Sequence, residues 1–399
     1  MKFNKWTVGL AAVGAVSLAS AAKAEEKASS SVMTSLASTT LSGYVDTSAQ
    51  WNFGTGNANN PPYKFGGASK ADGFNLDVVQ LRIESLPGPE EWAAGYRVDL
   101  WAGPDANVLG TGSLGANNSD FAVRQAYVAL RTPVGNGLDW KLGVFDSIIG
   151  YESVESPSNP NYTRSYGHSI EPQTHTGVLT SYRFCEAFSA SVGIADTIGP
   201  AINERAFDAS GNQRESSKTY MGSFDLTAPD SLGFLSGSTL YAGVVNGFSS
   251  KTPTGGAPKE TQTSWYVGGT LATPVTGLRL GAAFDYLDRH EPGETWALSG
   301  YASFQATEKL SLHTRAEYAK DRGAQSFFAR PIGAPAGFKA EVLALTATAQ
   351  YDLWKNVISR LELRWDHSLR GNNTFGGAVA GAPTDENAWM MAANIIYKF

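Results

Sequence analysis

The chain has 399 residues, 42% of them hydrophobic and 17% charged, with a formal net charge of −6. The single Cys185 excludes a disulfide scaffold, and the aromatic content excludes a disordered chain. Acidic residues outnumber Lys and Arg by 37 to 31, which argues against nucleic acid or any other anionic polymer as partner.

Residues 1–24 read as a secretory leader. Lys2 and Lys5 form a basic start, Trp6 to Leu18 an apolar stretch, and Ala22-Lys23-Ala24 a small-residue cleavage site. Losing Lys2, Lys5 and Lys23 would make the processed chain more acidic still. Residues 25–38 are Ser/Ala-rich and read as a periplasmic tether. Beyond residue 24 no apolar run is long enough for a helical membrane span. An exported globular protein and a membrane β-barrel remain.

From Thr39 the pattern has period two. Leu41, Gly43, Val45, Thr47, Ala49, Trp51 and Phe53 share one face, and Ser42, Tyr44, Asp46, Ser48, Gln50 and Asn52 the other. Strands are expected at 40–53, 74–84, 92–101, 121–131, 138–146, 176–184, 188–195, 219–227, 239–246, 263–272, 278–287, 295–306, 310–319, 341–351, 357–367 and 388–399. That makes about sixteen, with fourteen to eighteen open. The links between them alternate long and short. Gly, Asn, Pro and Ser fill the long ones.

Short periplasmic turns, long external loops and an even strand count are the signature of a transmembrane antiparallel β-barrel over residues 39–399. Hydrocarbon offers no hydrogen-bond partner, so a spanning sheet must close on itself. A soluble sandwich alternates too. Three features favour the barrel: strand lengths that suit a tilted span, tryptophans near the segment ends, and a terminal aromatic strand. Trp51, Trp92, Trp101, Trp140, Trp265, Trp296, Trp354, Trp365 and Trp389 are the expected girdle residues. Tyr397 and Phe399 form the expected assembly signal.

Three stretches carry a family resemblance. They are Phe74-Asn75-Leu76-Asp77 with Tyr96-Arg97-Val98-Asp99-Leu100-Trp101, then Arg124-Gln125-Ala126-Tyr127-Val128, then Gly143-Val144-Phe145-Asp146 with Asn159-Pro160-Asn161-Tyr162. Together the chain resembles the OmpL-like second family of beta-barrel porins, most densely over 74–183. The resemblance implies an outer-membrane channel for passive diffusion of ions and small polar solutes, with no cofactor. It also implies outer-membrane lipid and the barrel-assembly machinery as partners, and by fold analogy a homotrimer.

In general porins the third external loop narrows the lumen. Here that loop, 147–175, carries Glu152, Glu155, Arg164, Tyr166 and Glu171, stiffened by Pro157, Pro160 and Pro172. Parity places Tyr44, Asp46, Arg82, Glu84, Arg97, Asp99, His313, Arg315, Glu317, Arg360, Glu362 and Arg364 on the lumenal wall. Closure makes 357–367, 388–399, 40–53, 74–84 and 92–101 consecutive. Arg82, Arg97, Arg360 and Arg364 are therefore expected to form one basic arc, faced by acidic loop residues. Arg124 has no clear parity, because both faces of its segment carry apolar residues.

Enzyme signals are weak. The G-x-G-x-x-G at 110–115 follows no βαβ pattern, and no P-loop, G-x-S-x-G or H-E-x-x-H occurs. The five histidines lack tight metal-ligand spacing. The alternatives are an outer-membrane barrel enzyme and a structural or adhesive surface barrel.

Overall fold

The structure, a computed structural model, describes residues 38–399 apart from 55, 63, 67–69, 113–119, 208–211, 249–260, 290–292 and 324–338. The expected leader and nearly all of the tether lie outside the described residues, as do His290 and the end of the 110–115 glycine run.

Alternating sequence produces strands β1 (Thr40–Phe53), β2 (Gly73–Ser85), β3 (Ala93–Ala102), β4 (Phe121–Thr132), β5 (Leu138–Asp146), β6 (Thr174–Cys185) and β7 (Phe188–Ala195). The minor strands β8 (Ala206–Phe207) and β9 (Gln213–Arg214) form a separate ribbon in the fourth long loop. The wall continues with β10 (Thr219–Thr227), β11 (Thr239–Phe248), β12 (Thr261–Ala272), β13 (Leu278–Asp288) and β14 (Gly293–Gln305). It ends with β15 (Leu310–Gly323), β16 (Lys339–Trp354), β17 (Val357–Ser368) and β18 (Asn387–Lys398). Among the described residues, sixteen strands make one closed antiparallel barrel, each beside its sequence neighbours, and β18 pairs with β1 to shut it. Each expected segment coincides with one barrel strand.

The barrel is apolar outside and polar inside. On β17, Leu361 and Leu363 are 54% and 45% exposed, while Arg360, Glu362 and Arg364 between them are buried. Aromatic side chains collect at both rims. Near the long loops Trp365 stacks on Trp389, Trp296 meets Tyr318, and Trp51 sits edge-on to Phe74. At the short-turn end Trp92 and Trp354 are exposed. Trp101 departs from the expected girdle. It shares the parity of Arg97 and Asp99, so it points inward, is buried, and donates its indole N–H to Gln80 Oε1 at 2.7 Å.

Bulges on β2 and β4 shift the alternation. On β2, Asp46 pairs with Val78 and Thr47 with Leu76, leaving Asp77 as the extra residue. On β4, Asp99 pairs with Gln125 and Leu100 with Val123, leaving Arg124 extra. A bulge puts two successive residues on one side. Asp77 and Val78, and likewise Arg124 and Gln125, are therefore all buried on the lumenal face. This is why Arg124 has no readable parity in the sequence.

Candidate functional site

The segment between β5 and β6 builds the site. Pro157 lies in a 3-10 turn at Ser156–Ser158, and Asn159 locks that turn. Asn159 Nδ2 donates to the carbonyls of Ser153 and Glu155, each at 2.7 Å, and its Oδ1 accepts from Ser153 N at 2.8 Å. Two short helices flank the region, α1 (Pro104–Leu109) in the second long loop and α2 (Tyr166–Ile170) in this segment. Ser165 caps α2 by accepting from His168 N at 3.0 Å.

The locked turn holds Glu155 against the wall of β2, β3 and β4. Arg82 pairs with it, and Arg97 and Arg124 approach it at 3.3 and 3.2 Å. The same three guanidinium groups share Asp99, at 2.9, 2.8 and 2.8 Å. Arg124 also reaches Asp146 at 2.6 Å. Side chains of Arg82, Arg97 and Glu155 keep 18%, 19% and 15% of their exposure, so this node retains access to water. Glu84 stands 3.9 Å from Arg97.

A second set of contacts ties the segment to β15, β16 and β17. Arg315 donates to Glu152 at 2.8 Å, to Glu317 at 2.7 Å and to the Thr163 carbonyl at 2.8 Å. Glu362 accepts from the backbone N–H groups of Tyr162 and Thr163 at 2.6 and 3.0 Å. Tyr166 N donates to Glu317 at 2.6 Å, and the Tyr166 hydroxyl to Asp366. Arg360 donates to the Asn159 carbonyl at 2.6 Å, and Arg364 to the Arg164 carbonyl at 3.0 Å. Arg164 itself donates to the carbonyls of Ser153, Tyr162 and Val154.

The four wall arginines of the expected arc thus fall into two groups. Arg82 and Arg97 meet at Glu155 with partial exposure. Arg360 and Arg364 are buried under segment carbonyls. The physical reason is that a guanidinium facing a loop backbone finds acceptors there and no longer faces water. Tyr44 and His313 are buried on the wall, with His313 Nδ1 2.9 Å from Ser303 Oγ. Asp46 accepts from Asn394 at 3.0 Å. At the far end of the segment Tyr151 stacks on Tyr301 at 4.1 Å.

Glu171 and Asp285 share a hydrogen bond where the segment meets β13. Burial, then the neighbouring Asp285 charge, hold the Glu171 carboxyl well above its usual range. A Cβ at Gly167 would lie 2.2 Å from Asp285 Oδ2, so a side chain there has to displace that carboxylate. Burial also pushes the His168 imidazole well below its ordinary value. Sequence reasoning passes over Asp285 and leaves Arg124 open. Asp285 follows the inward parity of its strand, but only the fold shows which loop residue it meets.

A family profile described as "Putative beta-barrel porin-2, OmpL-like" matches residues 38–399. No curated protein matches the sequence. The fold is similar to an anion-selective porin from Comamonas acidovorans, with TM-score 0.57 and 13% identity over 91% of this chain and 99% of that one. It is also similar to the outer membrane channel DcaP of Acinetobacter baumannii, with TM-score 0.56 and 14% identity over 90% and 97% of the two chains. Salmonella typhi OmpF, solved in complex with daunomycin, gives TM-score 0.58 and 14% identity over 90% and 97%.

Proposed function

The chain belongs to the OmpL-like putative beta-barrel porin-2 family and is a porin of the bacterial outer membrane; from that premise we propose that it passes ions and small polar solutes by passive diffusion through an eyelet narrowed by residues 147–173. The observation that carries this reading is the sharing of Glu155 by Arg82, Arg97 and Arg124. Charges fixed beside a water-filled gap set a local field, and that field sorts permeants by charge. A barrel of roughly 16 strands is wide enough for such a gap, whereas about 8 strands fill with side chains.

The reading extends to assembly. The β18 end, with Tyr397 and Phe399, is the part offered to the barrel-assembly machinery, and a homotrimer is the proposed state in the membrane. In support, Phe399 joins the barrel seam through backbone hydrogen bonds to Gly43 in both directions, each 3.0 Å long.

The test is conductance. Purified, refolded protein added to a planar lipid bilayer is expected to give stepwise current increments. A silent bilayer with folded, heat-modifiable protein overturns the channel and favours a surface structural role.

A further inference from the structure

Arginines on the lumenal wall come with acids. Arg82, Arg97, Arg124, Arg131, Arg315 and Arg364 each lie within 3.0 Å of a carboxylate oxygen. Arg360 is buried under segment carbonyls instead. Arg279 has neither kind of cover. It stands at the short-turn end of β13 and shares the lumenal parity of Gly281, Ala283 and Asp285. β13 lies eight strands from β3 in either direction round the ring, so this part of the wall is separate from the Glu155 node.

Two interactions hold the Arg279 side chain. Its Nη2 donates to the Gly237 carbonyl and, at 2.8 Å, to Thr270 Oγ1. Those acceptors use both Nη2 protons. Nη1 donates to no protein acceptor among the described residues, and Nε is buried without one. The ionisable side chains beside the guanidinium are the phenols of Tyr151 and Tyr241, with no carboxylate among them. Asp225 on β10 accepts from Ser189 at 2.9 Å and lies three strands from β13. Glu152, next to Tyr151 in the chain, is taken up by Arg315. A full positive charge therefore faces the lumen with hydroxyl groups as its neighbours.

The site is open to water and has a second donor. Arg279, Tyr241, Thr239 and Ser303 are half-buried, so solvent reaches them from the lumen. The Tyr151 hydroxyl rests against Gly281, where a Cβ would lie 1.9 Å from it. Gly281 is two positions from Arg279 on the same face, about 7 Å along the strand. Tyr151 is held there by its stack on Tyr301, 4.1 Å between ring centroids. A guanidinium and a phenol side by side are two donors that a two-oxygen anion spans and a spherical halide does not. The low-dielectric walls of a channel concentrate the field of an unpaired charge.

We propose that Arg279, with the Tyr151 hydroxyl beside it, binds the carboxylate of a small monoanionic solute on the turn-side wall of the lumen. The inference names a solute class for the diffusion channel and rests on that reading for its purpose. Binding is measured without a bilayer, so a silent bilayer and an unbound solute are separate results.

The experiment is fluorine NMR of trifluoroacetate added to detergent-solubilised, refolded protein. Empty micelles are the blank and trifluoroethanol is the neutral control. Saturable line broadening is expected for trifluoroacetate and not for trifluoroethanol, and acetate should reverse it at lower concentration than chloride. Arg279→Gln should weaken the apparent affinity by about fivefold or more. Tyr151→Phe keeps the ring stack, removes the second donor and should weaken it by about twofold or more. Lys141→Gln is the control for another lumenal cation, on β5, whose ammonium lies over the Tyr127 ring, 5.1 Å from the centroid. That variant should keep the affinity. Heat-modifiable mobility shows that each variant is folded. No saturable broadening, equal broadening of trifluoroethanol or equal displacement by chloride overturns the proposal. So does unchanged affinity in Arg279→Gln, or in Tyr151→Phe if Arg279→Gln does not fold. Loss of binding in Lys141→Gln alone moves the site to β5 and overturns it too.

Discussion

Glu152 accepts a 2.8 Å hydrogen bond from Arg315, and both side chains are closed to solvent. One belongs to the segment between β5 and β6, the other to β15. Glu152 also accepts from Ser165 N at 2.7 Å, which couples the start of α2 to the same carboxylate. Removing one member of a buried pair leaves the other charged and desolvated, at a cost of about 3–5 kcal/mol. Arg315 keeps Glu317, so Glu152→Ala should fall near the lower end of that range. The expected result is a lower unfolding midpoint in detergent together with larger open-channel current fluctuations. Unchanged fluctuations would mean that the pair does not restrain the segment.

Ion selectivity tests the Glu155 node directly. Glu155 offsets part of the charge of Arg82, Arg97 and Arg124. Glu155→Gln keeps the shape and removes the negative charge, so the zero-current potential in a salt gradient should move toward anion preference. Arg82→Ala combined with Arg97→Ala leaves Asp99 and Glu155 in excess and should move it toward cations. The two shifts must have opposite signs. An unmoved potential in either variant removes this node from the selectivity filter.

The barrel was legible in the sequence because its physics is local. Alternation, turn residues and rim aromatics each act over a few positions, and all sixteen expected segments coincide with barrel strands. What was hidden depends on pairing. The extra residue Arg124 is visible only against β3, and without it the parity of β4 cannot be assigned. Trp101 looked like a rim residue by its position near a strand end, although its parity with Asp99 already pointed inward. The destinations of Arg360 and Arg364 were hidden too. Their inward direction follows from alternation, but the carbonyls that cover them belong to residues 159 and 164, about 200 positions away in the chain. No periodicity carries that contact.

The seam makes a prediction about closure. Gly43 exchanges two backbone hydrogen bonds with Phe399, and a Cβ at residue 43 would lie 2.1 Å from the Gln80 carbonyl oxygen and 2.7 Å from the Phe399 ring. A side chain there has to push a neighbouring strand or displace the terminal ring. Gly43→Val should therefore destabilise the barrel by about 1–3 kcal/mol, the usual range for forced overpacking. The check is the temperature at which the folded, heat-modifiable band is lost. Phe399→Ala in the Gly43→Val background should restore less than the whole loss, because the Gln80 carbonyl clash stays. Full recovery would place all of the strain on the ring.

The Glu171–Asp285 contact gives the segment a pH dependence whose direction is fixed. Glu171 has its carboxyl held well above the ordinary value of 4.5, by burial first, then by the charge and hydrogen bond of Asp285, then by Glu152. The folded state therefore keeps a proton that the released segment gives up. Below about 4.5 both states are protonated and no penalty exists. As pH rises from there toward the raised value, seating of the segment weakens by up to about 1.4 kcal/mol per pH unit. Channel current fluctuations should increase from acid to alkaline buffer, and Glu171→Gln, which leaves the ionisable Asp285 at the contact, should reduce that dependence. Two other groups face Glu171. The His168 imidazole, 3.7 Å away, is pushed well below its ordinary value by burial. Lys64 is lowered to about 8 by burial, so it can lose its proton in the same alkaline range. Lys64→Met separates the two. If that variant keeps the full dependence while Glu171→Gln reduces it, the carboxyl pair is the source. If Lys64→Met alone abolishes the dependence, the lysine is.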